Sequence, residues 1–299
     1  MTPTSTVLDL TVTQLSGTIG AEIRGIDLTR RLDPETVDTV RALLLEHKVI
    51  FFPGQHLEPA QHVSLARHFG EPTPAHPVLP GLAGFPEVFE IDYTAYRRFF
   101  SHGDRTQQYD ATGWHTDVTF VERPPLGSIL NAVVIPPAGG DTLFCDQQAA
   151  YEGLSAPIRA LVDGLTAVHS GEQQFEKILA DTSKRGRTAE AEWDDAPYTE
   201  LKPVEHPVVR THPETGARSL FVNRGFTSSI KGLSKRESDA LLALLFEHST
   251  RPEYVARYHW HTGDLGFWDN RTTQHAVVPD FGDQHRVIQR VTLRGDAPA

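Results

Sequence analysis

Apolar residues recur along the chain in two periods. In PETVDTVRALLLEH and DALLALLFEH they fall three and four apart, which predicts helices with one buried face. Asp33 caps the first of these, with Pro34 in the first turn and Glu35 beside the positive end of the helix. Ser234 and Glu237 make a capping box ahead of the second. PAQHVSLARHF predicts a further helix ended by Gly70, and Ala156–Leu165 predicts another. KVIFF (Lys48–Phe52) is a short buried strand closed by Pro53-Gly54. GSILNAVVI, VVRTH, SLFVN, YVARYHWH, DLGFWD and RVIQRVTL are runs of strand-forming residues bounded by turns. Their concentration in the second and later thirds predicts a mainly β fold, a sheet sandwich or jelly roll with flanking helices. No repeat or low-complexity linker divides the chain, so a single domain over residues 1–299 is expected.

Composition narrows the partners. The formal net charge of −11 over 299 residues repels phosphate backbones, so no nucleic acid is expected. An anionic substrate then needs a local basic pocket. The single cysteine, Cys145, allows no intramolecular disulfide and fits a reducing cytoplasm. The apolar run Ala240–Phe246 is too short to span a bilayer, and MTPTSTVLDLTV lacks the features of a signal peptide. A cytoplasmic protein without membrane contact is expected, forming a homo-oligomer (dimer or tetramer).

The candidate chemistry begins at GWHTDVTF (Gly113–Phe120). Trp114, Val118 and Phe120 give it a strand pattern, and on a strand His115 and Asp117 share a face. An imidazole and a carboxylate so placed hold neighbouring positions of one metal. The same spacing occurs at His102-Asp104, in a polar loop, and at His212-Glu214, in a hairpin turn, so scaffold decides rather than spacing. A third ligand completes a facial triad, and His275 in WDNRTTQHAV stands after a strand and an Asp-Asn turn. Two His and one carboxylate leave room on an octahedral iron for a bidentate co-substrate and dioxygen. HRVIQRVTL adds Arg286 and Arg290 on one strand face, where a buried guanidinium calls for an anion. Residues alone leave rivals open. His115-Asp117 is also compatible with a structural pair, HWH (His259, His261) with a second metal pair, and the two Arg with surface charges on an edge strand.

WHTDVTF, PPLGSIL, GGDTLF, HPVVRTHPETG, LFVNRGFT, WDNRTTQH and HRVIQRVTLRGD together resemble the taurine dioxygenase family of iron(II)- and 2-oxoglutarate-dependent dioxygenases, from about Gly20 to Pro298. The resemblance implies a double-stranded β-helix, with iron(II), 2-oxoglutarate as co-substrate and O2. It implies His115, Asp117 and His275 as iron ligands, and Thr142 and Arg286 as the contacts of the 2-oxoglutarate carboxylate. It further implies Arg290 and His76 as contacts of the substrate's anionic group, with Val118, Phe175 and Phe226 lining the substrate pocket. Such an enzyme hydroxylates the carbon beside the sulfur group, releasing sulfite or sulfate and an aldehyde, with succinate and CO2.

Two positions depart from the taurine-using members. Where they carry Asn and Tyr, this chain has Ala111 and Leu79. An ammonium against Ala and Leu is poorly solvated, so the expected substrate is a small alkyl sulfonate or alkyl sulfate, and ATGWHTDVTF resembles the alkylsulfatase branch. Asp92–Thr112, with Tyr93, Tyr96, Phe99 and Phe100, is either a surface loop or a lid. The rival functions are hydroxylation of a carboxylate or phosphonate, and a non-catalytic metal-binding jelly roll.

Overall fold

A computed structural model describes residues 10–93, 113–172, 175 and 202–299. Its strands in chain order are β1 (Thr11–Gln14), β2 (Ala21–Arg24), β3 (Val49–Phe52), β4 (Phe89–Asp92), β5 (Gly127–Val134), β6 (Thr142–Asp146), β7 (Thr166–His169) and β8 (Val204–Pro207), followed by β9 (Val209–Thr211), β10 (Arg218–Leu220), β11 (Thr227–Ile230), β12 (Val255–Tyr258), β13 (Leu265–Asp269), β14 (Thr273–Val277) and β15 (Val287–Leu293). The helices are α1 (Pro34–His47), α2 (Pro59–Ala66), α3 (Gln147–Glu152), α4 (Ala156–Val162) and α5 (Lys235–Ser249).

The expected helix starts hold. The Asp33 carboxylate accepts from the Thr36 N–H, and Ser234 and Glu237 close the capping box of α5. Three ends differ from expectation. Arg67–Phe69 leave α2 as tighter turns, with His68 and Phe69 donating to Leu65 and Ala66 three residues back. α4 stops at Val162, where the Leu165 N–H turns back onto the Val162 carbonyl. Lys48 is the left-handed cap of α1 (φ 65°) rather than the first residue of β3.

A seven-stranded sheet runs β1-β2-β3-β13-β5-β15-β4, parallel only at β2–β3. A second sheet, β12-β6-β14, packs on it through Phe144 and Tyr258, and β11-β7-β8 and the hairpin β9-β10 form two smaller sheets. This is the mainly β jelly roll with flanking helices that the strand pattern predicts. β3 shows why its run is apolar at every position: both faces are covered. Ile50 and Phe52 pack with Val40, Leu44 and Val63 under α1 and α2. Val49 and Phe51 point the other way, toward Phe144 and Trp260 between the sheets. Each fully buried Leu or Phe of this kind contributes about 1.5–3 kcal/mol. On β15, Val291 and Leu293 join the helix side, whereas Ile288 belongs to the inter-sheet core. That parity sends Arg290 inward, into the open end of the sandwich. Both ends of the described chain enter the large sheet, β1 and β2 from one and β15 from the other.

Candidate active site

GWHTDVTF is not a strand. Only His115 pairs with a neighbour, through an isolated antiparallel bridge to His275 on β14. The two residues exchange both backbone hydrogen bonds, at 3.0 and 2.8 Å, so their side chains project together. The ring centroids are 4.3 Å apart. The chain then turns over residues 117–120, and Val118 takes φ 53°. A β-branched residue in the left-handed region is strained by about 1–3 kcal/mol, and the surroundings must hold it there. They do so through Thr119 and its neighbours. His206 Nε2 lies 3.0 Å from both the Thr119 and Val121 carbonyls. The Thr119 hydroxyl meets His169 Nδ1 at 2.9 Å and Asn223 Nδ2 at 3.1 Å. Thr116 donates to the Thr273 carbonyl on β14. The turn, rather than strand alternation, is what brings Asp117 beside the two imidazoles.

His115, Asp117 and His275 place one ligand atom each within 4.8 Å of one another. Asp117 Oδ1 lies 3.8 Å from His115 Nε2 and 3.9 Å from His275 Nε2. His115 Nδ1 sits 2.9 Å from the Gly113 carbonyl, so the Nδ1–H donates there and the Nε2 lone pair faces the cavity. His275 makes no side-chain hydrogen bond among the described residues, and its Nδ1 is buried. Burial lowers the pKa of both imidazoles, that of His275 to about 3, so both are neutral at physiological pH. Burial raises the Asp117 carboxyl, but Arg290, the two His and the Ser128 hydroxyl outweigh it and bring it to about 2. Two neutral imidazoles and one ionised carboxylate are the donor set of a divalent iron site with open positions, and the residues fit that metal.

The supporting contacts were not visible in the sequence. Ser128 donates to Asp117 Oδ2 at 2.6 Å and accepts from Asn270 Nδ2 at 2.8 Å, and Asn270 in turn accepts from the Trp268 indole. Such partners fix the orientation of a ligating carboxylate. Gly225 backs His115: a Cβ there would stand 2.9 Å from His115 Cβ. Gly225→Ala should therefore displace the imidazole and weaken metal binding by about 10–100-fold, as loss of a supporting contact does. Competition against a chelator measures this; an unchanged affinity would show that the backbone yields instead.

The other expected residues meet the metal triad in one cavity. Its wall includes His76, Val118, Thr142, Phe175, Phe226, Arg286 and Arg290, together with Leu79, Phe89, Ile91 and Tyr93. Arg286 is 1% exposed, and its Nε and Nη1 find no hydrogen-bond partner among the described residues. Its guanidinium lies 5.0 Å from the Tyr93 ring. Gly140 of GGDT (φ 77°) is required beside it, because a Cβ there would come within 3.0 Å of Arg286 Nε. Thr142 accepts from the Trp260 indole at 2.9 Å, and an indole only donates, so the Thr142 hydroxyl proton is free to point into the cavity. Arg290 donates to Asp117 Oδ1. The two Arg are buried in the pocket, not surface charges on an edge strand.

The decoys resolve into structure. His212 donates from Nε2 to Asp269 at 3.0 Å, and both are buried. His259 is bound to Asp141, and neither it nor His261 joins a metal-ligand group among the described residues. His102-Asp104, Ala111 and all of Asp92–Thr112 beyond Tyr93 lie outside the described residues.

A model of the family described as "Taurine catabolism dioxygenase TauD, TfdA family" matches residues 11–292. The chain belongs to the TauD, TfdA family. Among its TauD, TfdA relatives, it is 43% identical to an alpha-ketoglutarate-dependent sulfate ester dioxygenase of Pseudomonas putida, over 97% of this chain and 91% of that one. It is 40% identical to an alkylsulfatase of Acinetobacter baylyi, over 96% and 86%. A crystal structure of a taurine dioxygenase from Burkholderia xenovorans superposes with a TM-score of 0.79 at 43% identity, covering 97% of this chain and 92% of the other. Among the described residues no helix is long and apolar enough to cross a membrane.

Proposed function

We propose that this chain is an iron(II)- and 2-oxoglutarate-dependent dioxygenase that hydroxylates the carbon next to the sulfur group of an alkyl sulfate or alkyl sulfonate. The observation that carries the reading is Arg286, a buried guanidinium with unpartnered N–H groups in the same cavity as the His115–Asp117–His275 face. A buried cation without an anion is costly, and a dicarboxylate that also reaches the metal removes that cost. A non-catalytic metal module has no use for it.

His115, Asp117 and His275 would hold the metal. With 2-oxoglutarate and O2, the bound metal supplies oxidative decarboxylation to succinate and CO2 and hydroxylation of the substrate carbon. The hydroxylated product then collapses to an aldehyde and sulfate or sulfite. Arg286 and the Thr142 hydroxyl bind the distal carboxylate of 2-oxoglutarate, and Trp260 orients that hydroxyl. His76 and Arg290 hold the sulfur-borne anion. Val118, Phe175, Phe226 and Leu79 cluster into an apolar wall that orients the alkyl group and excludes water. This wall offers no acceptor for the ammonium of taurine. The names of the two curated relatives agree with a sulfate ester.

A panel of alkyl sulfates, alkyl sulfonates and taurine tests the reading, with succinate and released sulfate or sulfite measured together. Alkyl sulfates should drive equal amounts of succinate and sulfate, and taurine should be poor. Turnover confined to taurine or to carboxylates would overturn the substrate assignment. We further propose that residues 1–299 form one catalytic domain, supported by the sheet that takes strands from both ends, and that the protein is a cytoplasmic homo-oligomer (dimer or tetramer), its one cysteine being buried and unpaired.

A further inference from the structure

The sequence contains two His-Pro turns of the same construction. At His76-Pro77-Val78-Leu79, Nδ1 of His76 accepts the N–H of Val78 at 3.0 Å and of Leu79 at 3.2 Å. At His212-Pro213-Glu214-Thr215, Nδ1 of His212 accepts the N–H of Glu214 and of Thr215, both at 3.1 Å. Backbone N–H groups only donate, so Nδ1 must keep its lone pair in both turns. The His76 ring is thereby fixed as a neutral imidazole that carries its proton on Nε2.

His212 shows what the device does. Its Nε2–H donates to the buried Asp269 carboxylate, which Arg271 also grips through Nε at 2.8 Å and Nη2 at 2.6 Å. One imidazole thus shares a singly charged oxyanion with one guanidinium, which also donates from Nη1 to Glu214 at 2.6 Å. His76 repeats the first half of this arrangement on the wall of the cavity, with Arg290 on the same wall as the second half. His76 Nε2 makes no protein hydrogen bond among the described residues.

We propose that the substrate subsite selects by anion charge: locked His76 and Arg290 accept a singly charged head group, a sulfate monoester or sulfonate, and reject the doubly charged phosphate monoester or phosphonate of the same chain. This rests on the reading of His76 and Arg290 as the substrate-anion contacts. The charge of the whole cavity agrees. Arg286, Arg290 and Asp117 leave one net positive charge on the cavity wall, and a divalent metal and a doubly charged 2-oxo diacid cancel. One monoanion closes the balance; a dianion leaves a buried negative charge unpaired, which is costly. Burial, and then Arg290, lower the pKa of His76 to about 3 against the opposing pull of Asp117, so the ring gains no charge at working pH. Arg290 and Asp117 are the charged groups that bear on it, and the rings packed around it, Phe89, Phe120 and Phe175, carry none.

The test is calorimetric titration of the anaerobic iron(II)–2-oxoglutarate enzyme with hexyl sulfate and hexyl phosphate, at pH 8.5 and pH 5.5. Hexyl phosphate should bind at least about tenfold more weakly than hexyl sulfate at the higher pH, the scale of a like-charge mismatch. The gap should narrow at pH 5.5, because the second phosphate proton has a pKa of about 6. His76→Gln, a neutral donor, should keep the preference for sulfate, and His76→Lys should erase or reverse it. Their affinity for 2-oxoglutarate, read in the same experiment, reports that the variants are folded. Equal binding of the two anions at pH 8.5, an unchanged ratio in His76→Lys, or binding of neither anion overturns the proposal. Selective binding of hexyl sulfate without sulfate release would instead leave the charge rule standing and sink the reaction assigned above.

Discussion

Asp117→Ala should abolish substrate-linked succinate production, a loss of more than about a hundredfold, beyond what removing a supporting partner costs. Three consequences converge on this one carboxylate. It is the only anionic member of the donor set, so its loss leaves two neutral imidazoles for a divalent ion. It also faces Arg290, a residue 7% exposed, so the variant carries a buried cation without its partner. Removing one member of a buried pair costs about 3–5 kcal/mol, and the metal-free variant should melt below the wild type. Finally, Ser128 loses its acceptor and the chain of hydrogen bonds back to Trp268 loses its end. Asp117→Asn separates these effects, since it keeps the shape and an acceptor for Ser128 while removing the charge. Succinate formation assayed with and without substrate checks the first claim, and thermal melting of the metal-free proteins checks the second. Turnover retained in Asp117→Ala would remove Asp117 from the metal site.

How far the site could be read beforehand depended on the reach of the interaction. Asp33, Ser234 and Glu237 cap helices within three residues of themselves, so their helices were legible. The strands β6 and β14 were not, because Thr142, Asp146, Thr273, Gln274 and His275 are polar yet buried. Their burial is balanced by partners far along the chain, as when Gln274 donates to Gln147 and to the Val222 carbonyl. His115 and Asp117 do meet His275 in one group, but through a turn and not through the strand that their alternation predicts. Alternation in GWHTDVTF is real, but no second strand pairs with it beyond His115. His169, His206 and Asn223 hold the turn instead, and nothing in the eight residues themselves announces them. Arg286 and Arg290 were legible for a different reason: two guanidinium groups in an apolar run of an acidic chain need anions, although only Arg290 lies in β15 and Arg286 just precedes it.

Arg286→Met should raise the melting temperature of the free protein while removing its use of 2-oxoglutarate. The side chain is 1% exposed, burial pushes its pKa down, and two of its nitrogens find no partner among the described residues. Replacing an uncompensated buried charge by an apolar chain of similar length is favourable. The same substitution removes the charge-assisted contact to the co-substrate carboxylate. Truncating one side of such a pair costs about 2 kcal/mol or more, so the Kd for 2-oxoglutarate should rise at least about thirtyfold. Wild type should therefore gain stability from added 2-oxoglutarate and metal, since a ligand bound to the native state stabilises it by mass action, and Arg286→Met should gain much less. Affinity for the alkyl sulfate should change little, because His76 and Arg290 hold that anion. Thermal melts with and without 2-oxoglutarate decide the matter. A variant that melts lower than wild type in the free state would mean that Arg286 is compensated within the chain, and the strongest support for a co-substrate anion in this cavity would be gone. A more stable free protein that no longer responds to 2-oxoglutarate is the expected pattern, with stability given up at one buried cation so that the dicarboxylate has somewhere to bind.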